Sequence, residues 1–130
     1  MAKTVKELVS AAEAEVDTLS ASAAQALHGD PEVVFVDLRD VRELQREGRI
    51  RDSFHTPRGM LEFWLDPESP YHKDVFASGK RFVFYCNKGW RSALAAQTAQ
   101  KMGLGKVSHI KGGLEAWQAA GFETESYAKK

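Results

Sequence analysis

Cys86 is the only cysteine in this sequence, and its neighbours decide what it can do. Lys88, Gly89, Arg91 and Ser92 follow within six residues. The thiol ends an apolar run, Arg81-Phe82-Val83-Phe84-Tyr85, and an alanine-rich helical stretch begins just after it. The first amides of a helix have no partner inside the helix and carry the positive end of its dipole. A sulfur placed there is favoured as a thiolate, the nucleophilic form of cysteine. Gly89 permits a tight turn that exposes amides as an anion nest. Lys88 and Arg91 add positive charge, and Ser92 is expected to cap the helix. A lone cysteine closing an apolar strand can also be a small buried hydrophobe. The convergence of loop, cations, glycine and helix start selects the reactive reading.

The flanking elements read as alternating strands and helices. Val33-Val34-Phe35-Val36 and residues 81–85 are short, turn-bounded apolar runs, as expected of strands buried on both faces. Shorter strands are expected near Val16–Leu19, within Ile50–Thr56 and at Val107–Ile110. Asp40 followed by Glu43 forms a capping-box pattern for a helix ending at Gly48. Ser20 caps a helix through Leu27, Ser92 to Met102 forms another, and Gly112-Gly113 opens the last. Val5, Leu8, Val9, Ala12 and Val16 give an amphipathic helix over about 3–15, which packs on its own domain or docks a second copy. This order predicts an α/β fold of three layers, with about five mostly parallel strands and helices on both faces. Ligands of such sheets bind beyond the carboxyl ends of the strands, where Cys86 lies.

The motifs together resemble single-domain rhodaneses, sulfurtransferases that carry sulfur as a cysteine persulfide. Cys86-Asn87-Lys88-Gly89-Trp90-Arg91-Ser92 is similar to their active-site loop. Val36-Asp37-Leu38-Arg39 is similar to the family's apolar strand ending in Asp-x-Arg. Gly112-Gly113-Leu114-Glu115-Ala116-Trp117 is similar to its C-terminal signature, and order and spacing agree from about Asp17 to Phe122. One segment departs: Gly48-Arg49-Ile50-Arg51-Asp52-Ser53 stands where the family has Gly-His-Ile-Pro-Gly-Ala.

The resemblance implies a thiosulfate sulfurtransferase with Cys86 as nucleophile. Residues Asn87 to Ser92 would form the amide cradle, and Lys88 and Arg91 would attract an anionic donor. Asp37 and Arg39 would pin the neighbouring strand end through a charge-assisted pair. Trp90 is expected to line the pocket or stand at its rim against a protein partner. Met60, Phe63 and Trp64 are placed over the pocket mouth or in the core. No cofactor or metal is implied. The partners are a small anionic sulfur donor and an external acceptor: cyanide, a thiol or a protein. With no second cysteine in the sequence, sulfur cannot leave through an internal disulfide.

Two other readings are open. Cysteine phosphatases place arginine six residues after the cysteine; that position is Ser92, and Arg91 comes one residue early. The shorter cradle suits one sulfur better than a phosphoryl group, so phosphatase or arsenate reductase activity is disfavoured. A persulfide carrier or binding module for one particular protein is the other reading.

Composition bounds the rest. The 130 residues fit one domain, with a core over about 17–122. Eighteen basic residues balance eighteen acidic ones, arguing against nucleic-acid binding and hiding an expected local positive pocket at Lys88 and Arg91. Charges interrupt the first seventeen residues, so no signal-peptide core forms, and the apolar runs are too short for a membrane span. A reducing cytoplasm is the expected setting, with Cys86 as a free thiol. His28, His55, His72 and His109 lack ligand spacing and read as scattered, satisfied side chains. Gly103-Leu104-Gly105-Lys106 lacks the first glycine and the hydroxyl residue of a phosphate loop.

Overall fold

The computed structural model describes residues 2–128. Five parallel strands form one sheet: β1 (Asp17–Leu19), β2 (Val33–Asp37), β3 (Phe54–His55), β4 (Arg81–Tyr85) and β5 (Val107–Ile110). Their order across the sheet is β1-β5-β4-β2-β3. Six α-helices accompany them: α1 (Val5–Glu15), α2 (Ala21–Gln25), α3 (Val41–Glu47), α4 (Leu61–Leu65), α5 (Trp90–Lys101) and α6 (Gly113–Ala119). Among the described residues no helix is long and apolar enough to cross a membrane.

The unbroken apolar runs work because their alternate residues face two different cores. Phe82 and Phe84 of β4 join Val36, Leu61, Leu65 and the alanines of α5 on one face. Val83 and Tyr85 join Phe35, Ile110, Leu114 and Trp117 on the other. Small side chains on α5 (Ala95, Ala96 and Ala99, all fully buried) bring that helix close to the sheet.

Helix ends follow local chemistry. Asp40 and Glu43 form the expected capping box on α3, and Thr4 with Glu7 forms another on α1. The apolar stripe of α1 divides: Val9 and Ala12 pack on Ala93 of α5, while Val5 and Leu8 are exposed. The helix thus docks on its own chain and leaves two apolar side chains in solvent.

Ser92 does not cap α5. The helix starts two residues earlier, at Trp90, with Gly89 as its cap in the left-handed conformation. A side chain on Gly89 would also stand 2.9 Å from the Gly112 amide nitrogen. This leaves Ser92 in the first turn, fully buried and turned towards the sheet.

The segment that departs from the family pattern forms a tight turn anchored on Tyr85. Ile50 donates its N–H to the Tyr85 hydroxyl (3.1 Å), and Ser53 Oγ lies 2.8 Å from the same oxygen. Burial raises the Tyr85 pKa far above that of free tyrosine, so the phenol stays protonated.

Candidate active site

Parallel pairing sets what surrounds the end of β4. Asp37 of β2 pairs with Tyr85, and His109 of β5 pairs with Phe84. Cys86 therefore emerges between a buried carboxylate and a buried imidazole. Its sulfur accepts hydrogen bonds from the N–H of Gly89 (3.2 Å) and of Ser92 (3.4 Å). The amides of Trp90 and Arg91, which open α5, have no carbonyl one turn back within the helix.

The Gly-Gly pair secures this loop from below. Leu114 and Glu115 donate their N–H groups to the carbonyls of Cys86 (2.8 Å) and Asn87 (3.1 Å). Gly113 has φ +59°, and a Cβ there would overlap the Cys86 carbonyl. Glycine is needed because the start of α6 lies directly against the loop.

Asp37 and Arg39 are both fully buried and form a two-point ion pair, with Arg39 Nη2 2.7 Å from Asp37 Oδ2. Arg39 also donates to the Gly48 carbonyl (2.7 Å). The pair ties the end of β2 to the turn after α3 and lies outside the cavity over Cys86.

That cavity, about 310 Å³, is lined by Cys86, Asn87, Lys88, Trp90 and Arg91. Trp90 is half exposed and forms part of its rim. Met60, Phe63 and Trp64 do not line it. Trp64 packs edge-on against Phe54 and carries Lys73 over its ring at 5.0 Å. Phe63 is exposed beside Tyr71, and Met60 is half-buried at the start of α4. The apolar spacing that suggested a pocket wall instead serves the packing of this short helix, whose Leu61 and Leu65 enter the core.

The expected positive pocket is largely neutralised. Arg91 donates through both terminal nitrogens to Glu43 (2.6 and 2.9 Å). These bonds hold Glu43 below the usual carboxylate range and Arg91 above its ordinary value. Lys88 Nζ lies 4.0 Å from Glu115, with both side chains largely in solvent. An exposed pair of that kind is weak, so Lys88 is the cation free to turn towards an incoming anion.

Two residues near the thiol have roles that no local sequence pattern shows. Glu43 was accounted for by its capping box, so a second role on Arg91 was invisible. His109 reads from the sequence as one of four scattered, satisfied histidines, and its Nε2, unpaired among the described residues, corrects that. It is fully buried, and its Nδ1 lies 3.1 Å from Ser92 Oγ, which in turn accepts from the Cys86 thiol at 3.6 Å. Burial, aided by Lys111, pushes the His109 pKa down to about 4. A titratable side chain inside the short Val107-Ser108-His109-Ile110 strand is the available signal.

A family model for the rhodanese-like domain matches residues 20–120. A sulfurtransferase from Allochromatium vinosum is 32% identical over 107 residues, covering 82% of this chain and 90% of that protein. An uncharacterized Synechocystis protein has the same identity over 107 residues, and the chain spans 55% of its length. A solved structure from Rhodopseudomonas palustris is 51% identical, with a TM-score of 0.93 and 96% of both chains covered. That protein is described as being of unknown function and a possible tyrosine phosphatase. The matched span carries Cys86, its loop, the Asp-x-Arg strand end and the Gly-Gly start of α6. The chain belongs to the rhodanese-like domain family.

Proposed function

We propose that this protein is a sulfurtransferase that takes sulfane sulfur from thiosulfate or a related persulfide donor and holds it on Cys86. The thiolate attacks the outer sulfur of the donor. A new S–S bond forms at Cys86, the donor's S–S bond breaks, and sulfite or a thiolate leaves with the bonding pair. An external acceptor, cyanide or a thiol, then attacks the outer sulfur and Cys86 departs as the thiolate. The observation that carries this reading is the convergence of the Gly89 and Ser92 amides on the Cys86 sulfur. Beside them the Trp90 and Arg91 amides are available to an anionic outer sulfur. No further cofactor enters these steps.

Likeness to a possible tyrosine phosphatase raises the competing reaction. Phosphoryl transfer needs a guanidinium folded over the cradle to offset charge on three equatorial oxygens. Ser92 occupies the position six after the cysteine, and the Arg91 guanidinium is held on Glu43 through both terminal nitrogens. Both features favour sulfur over phosphate. Initial rates with thiosulfate and cyanide, read as thiocyanate, test the choice against hydrolysis of an aryl phosphate. Parallel double-reciprocal lines for thiosulfate and negligible phosphate release are expected. Phosphate turnover without thiocyanate would reverse the assignment.

Half-exposed Trp90 at the rim favours one variant of this function, in which the acceptor is a protein thiol. Such a carrier would turn over slowly with cyanide and rapidly with its partner.

A further inference from the structure

We propose that His109 and Glu13 complete, through Ser92, a route by which the Cys86 thiol proton leaves without passing through the cavity over the sulfur. This rests on Cys86 being the reactive group and assigns new work to the N-terminal helix. Cys86, Ser92 and His109 are all buried, so water has no direct path along this side of the thiol. Their atoms form a line: Cys86 Sγ to Ser92 Oγ 3.6 Å, Ser92 Oγ to His109 Nδ1 3.1 Å, and His109 Nε2 to Glu13 Oε2 3.6 Å. His109 Nε2 is one of three buried side-chain polar atoms without a hydrogen-bond partner among the described residues. Leaving such an atom unpaired is costly, so its presence calls for an explanation. Glu13, with 27% of its side chain exposed, is where this line reaches solvent.

The packing of α1 puts Glu13 there. Val9 and Ala12 seat the helix on Ala93 of α5, and Thr18 Oγ1 donates to the Glu13 carbonyl (3.1 Å). Thr18 is also the β1 residue that pairs with His109. The surrounding charges are Glu13 from α1, Lys111 beyond β5, and Arg91 of α5 with its partner Glu43 of α3. On the β2 side stand the Asp37–Arg39 pair and Glu47, 3.7 Å from Arg39.

A buried neutral imidazole carries one ring proton, so it can relay by exchanging tautomers without becoming charged. In the thiol state Cys86 S–H donates to Ser92 Oγ, Ser92 O–H donates to Nδ1, and Nε2 holds the ring proton facing Glu13. On ionisation the thiol proton passes to Ser92 Oγ, the serine proton to Nδ1, and the Nε2 proton to the Glu13 carboxylate. Glu13 then releases it to water. Sulfur keeps the electron pair of the S–H bond and His109 remains neutral. Ser92 O–H now points at the thiolate and joins the two amides already there.

Nitrogen-15 NMR of the histidine rings tests this without any sulfur donor, while thiolate absorbance in the ultraviolet reports the state of Cys86. His109→Gln assigns the signals. Wherever absorbance shows thiol, His109 should carry its proton on Nε2; wherever it shows thiolate, on Nδ1. Cys86→Ala should hold Nε2–H throughout the pH range in which the ring is neutral, above about 4. Glu13→Gln, an isosteric change at a half-buried side chain, should slow exchange of the Nε2 proton with water by about a hundredfold, the lower end of what a positioned acid–base group contributes. The same His109 tautomer in thiolate protein and in Cys86→Ala would overturn the relay, as would unchanged exchange in Glu13→Gln. Failure of Cys86 to take up sulfur would instead overturn the proposed transfer reaction and leave these signals untouched.

Discussion

Substituting Glu43 by glutamine should improve the use of dianionic donors more than singly charged ones. Glu43 Oε1 accepts from both Arg91 Nη1 (2.6 Å) and the Asp40 N–H (3.1 Å). Glutamine keeps an oxygen for the capping box on α3 while removing the negative charge that offsets Arg91. A unit charge about 6 Å from a monoanion in water contributes about 0.7 kcal/mol, and about 1.4 kcal/mol for a dianion. These correspond to about threefold and about tenfold in affinity. Screening over about 8 Å at physiological salt roughly halves both energies. The assay is KM for thiosulfate and for a singly charged aryl thiosulfonate, at low and physiological ionic strength. We expect KM to fall about tenfold for thiosulfate and about threefold for the thiosulfonate at low salt, both gains shrinking as salt is added. Equal changes for the two donors, or none, would refute the idea that Glu43 masks a cation at the site.

Two further outcomes follow from the same geometry. Asp37→Asn leaves buried Arg39 with only the looser, partly exposed Glu47 carboxylate (3.7 Å) as counter-charge and should cost roughly 3–5 kcal/mol in urea unfolding; a loss below about 1 kcal/mol would mean that Glu47 suffices. The Glu43–Arg91 pair holds the folded pKa of Glu43 below the ordinary carboxylate range, so its contribution is complete well above that range. It should vanish as pH falls through the lowered folded value, so the stability gap between wild type and Glu43→Gln should close on acidification; a gap independent of pH would count against the pair.

How far the sequence reached depended on whether a property was local. Strands β2 and β4 were legible because an unbroken apolar run bounded by turns has few other uses in so short a chain. The capping box at Asp40 and Glu43 was legible because both partners lie within one helical turn. The start of α5 was misplaced by two residues because serine is a better general cap than glycine; here the approach of Gly112 decided the matter. Arg91 looked free because its partner lies 48 positions away. His109 was unremarkable as a residue type and gained meaning only when parallel pairing set β5 beside β4. Met60, Phe63 and Trp64 stayed open between pocket mouth and core because apolar spacing on a short helix describes a core face and a pocket wall equally well.

The central claim is that Cys86 holds one sulfur atom between two half-reactions. Intact mass of the protein after treatment with thiosulfate, without acceptor, tests it most directly. The account predicts a gain of the mass of one sulfur, removed by cyanide or a thiol and absent in Cys86→Ser. An unchanged mass with thiosulfate and with persulfide donors, or an adduct that survives Cys86→Ser, would contradict it.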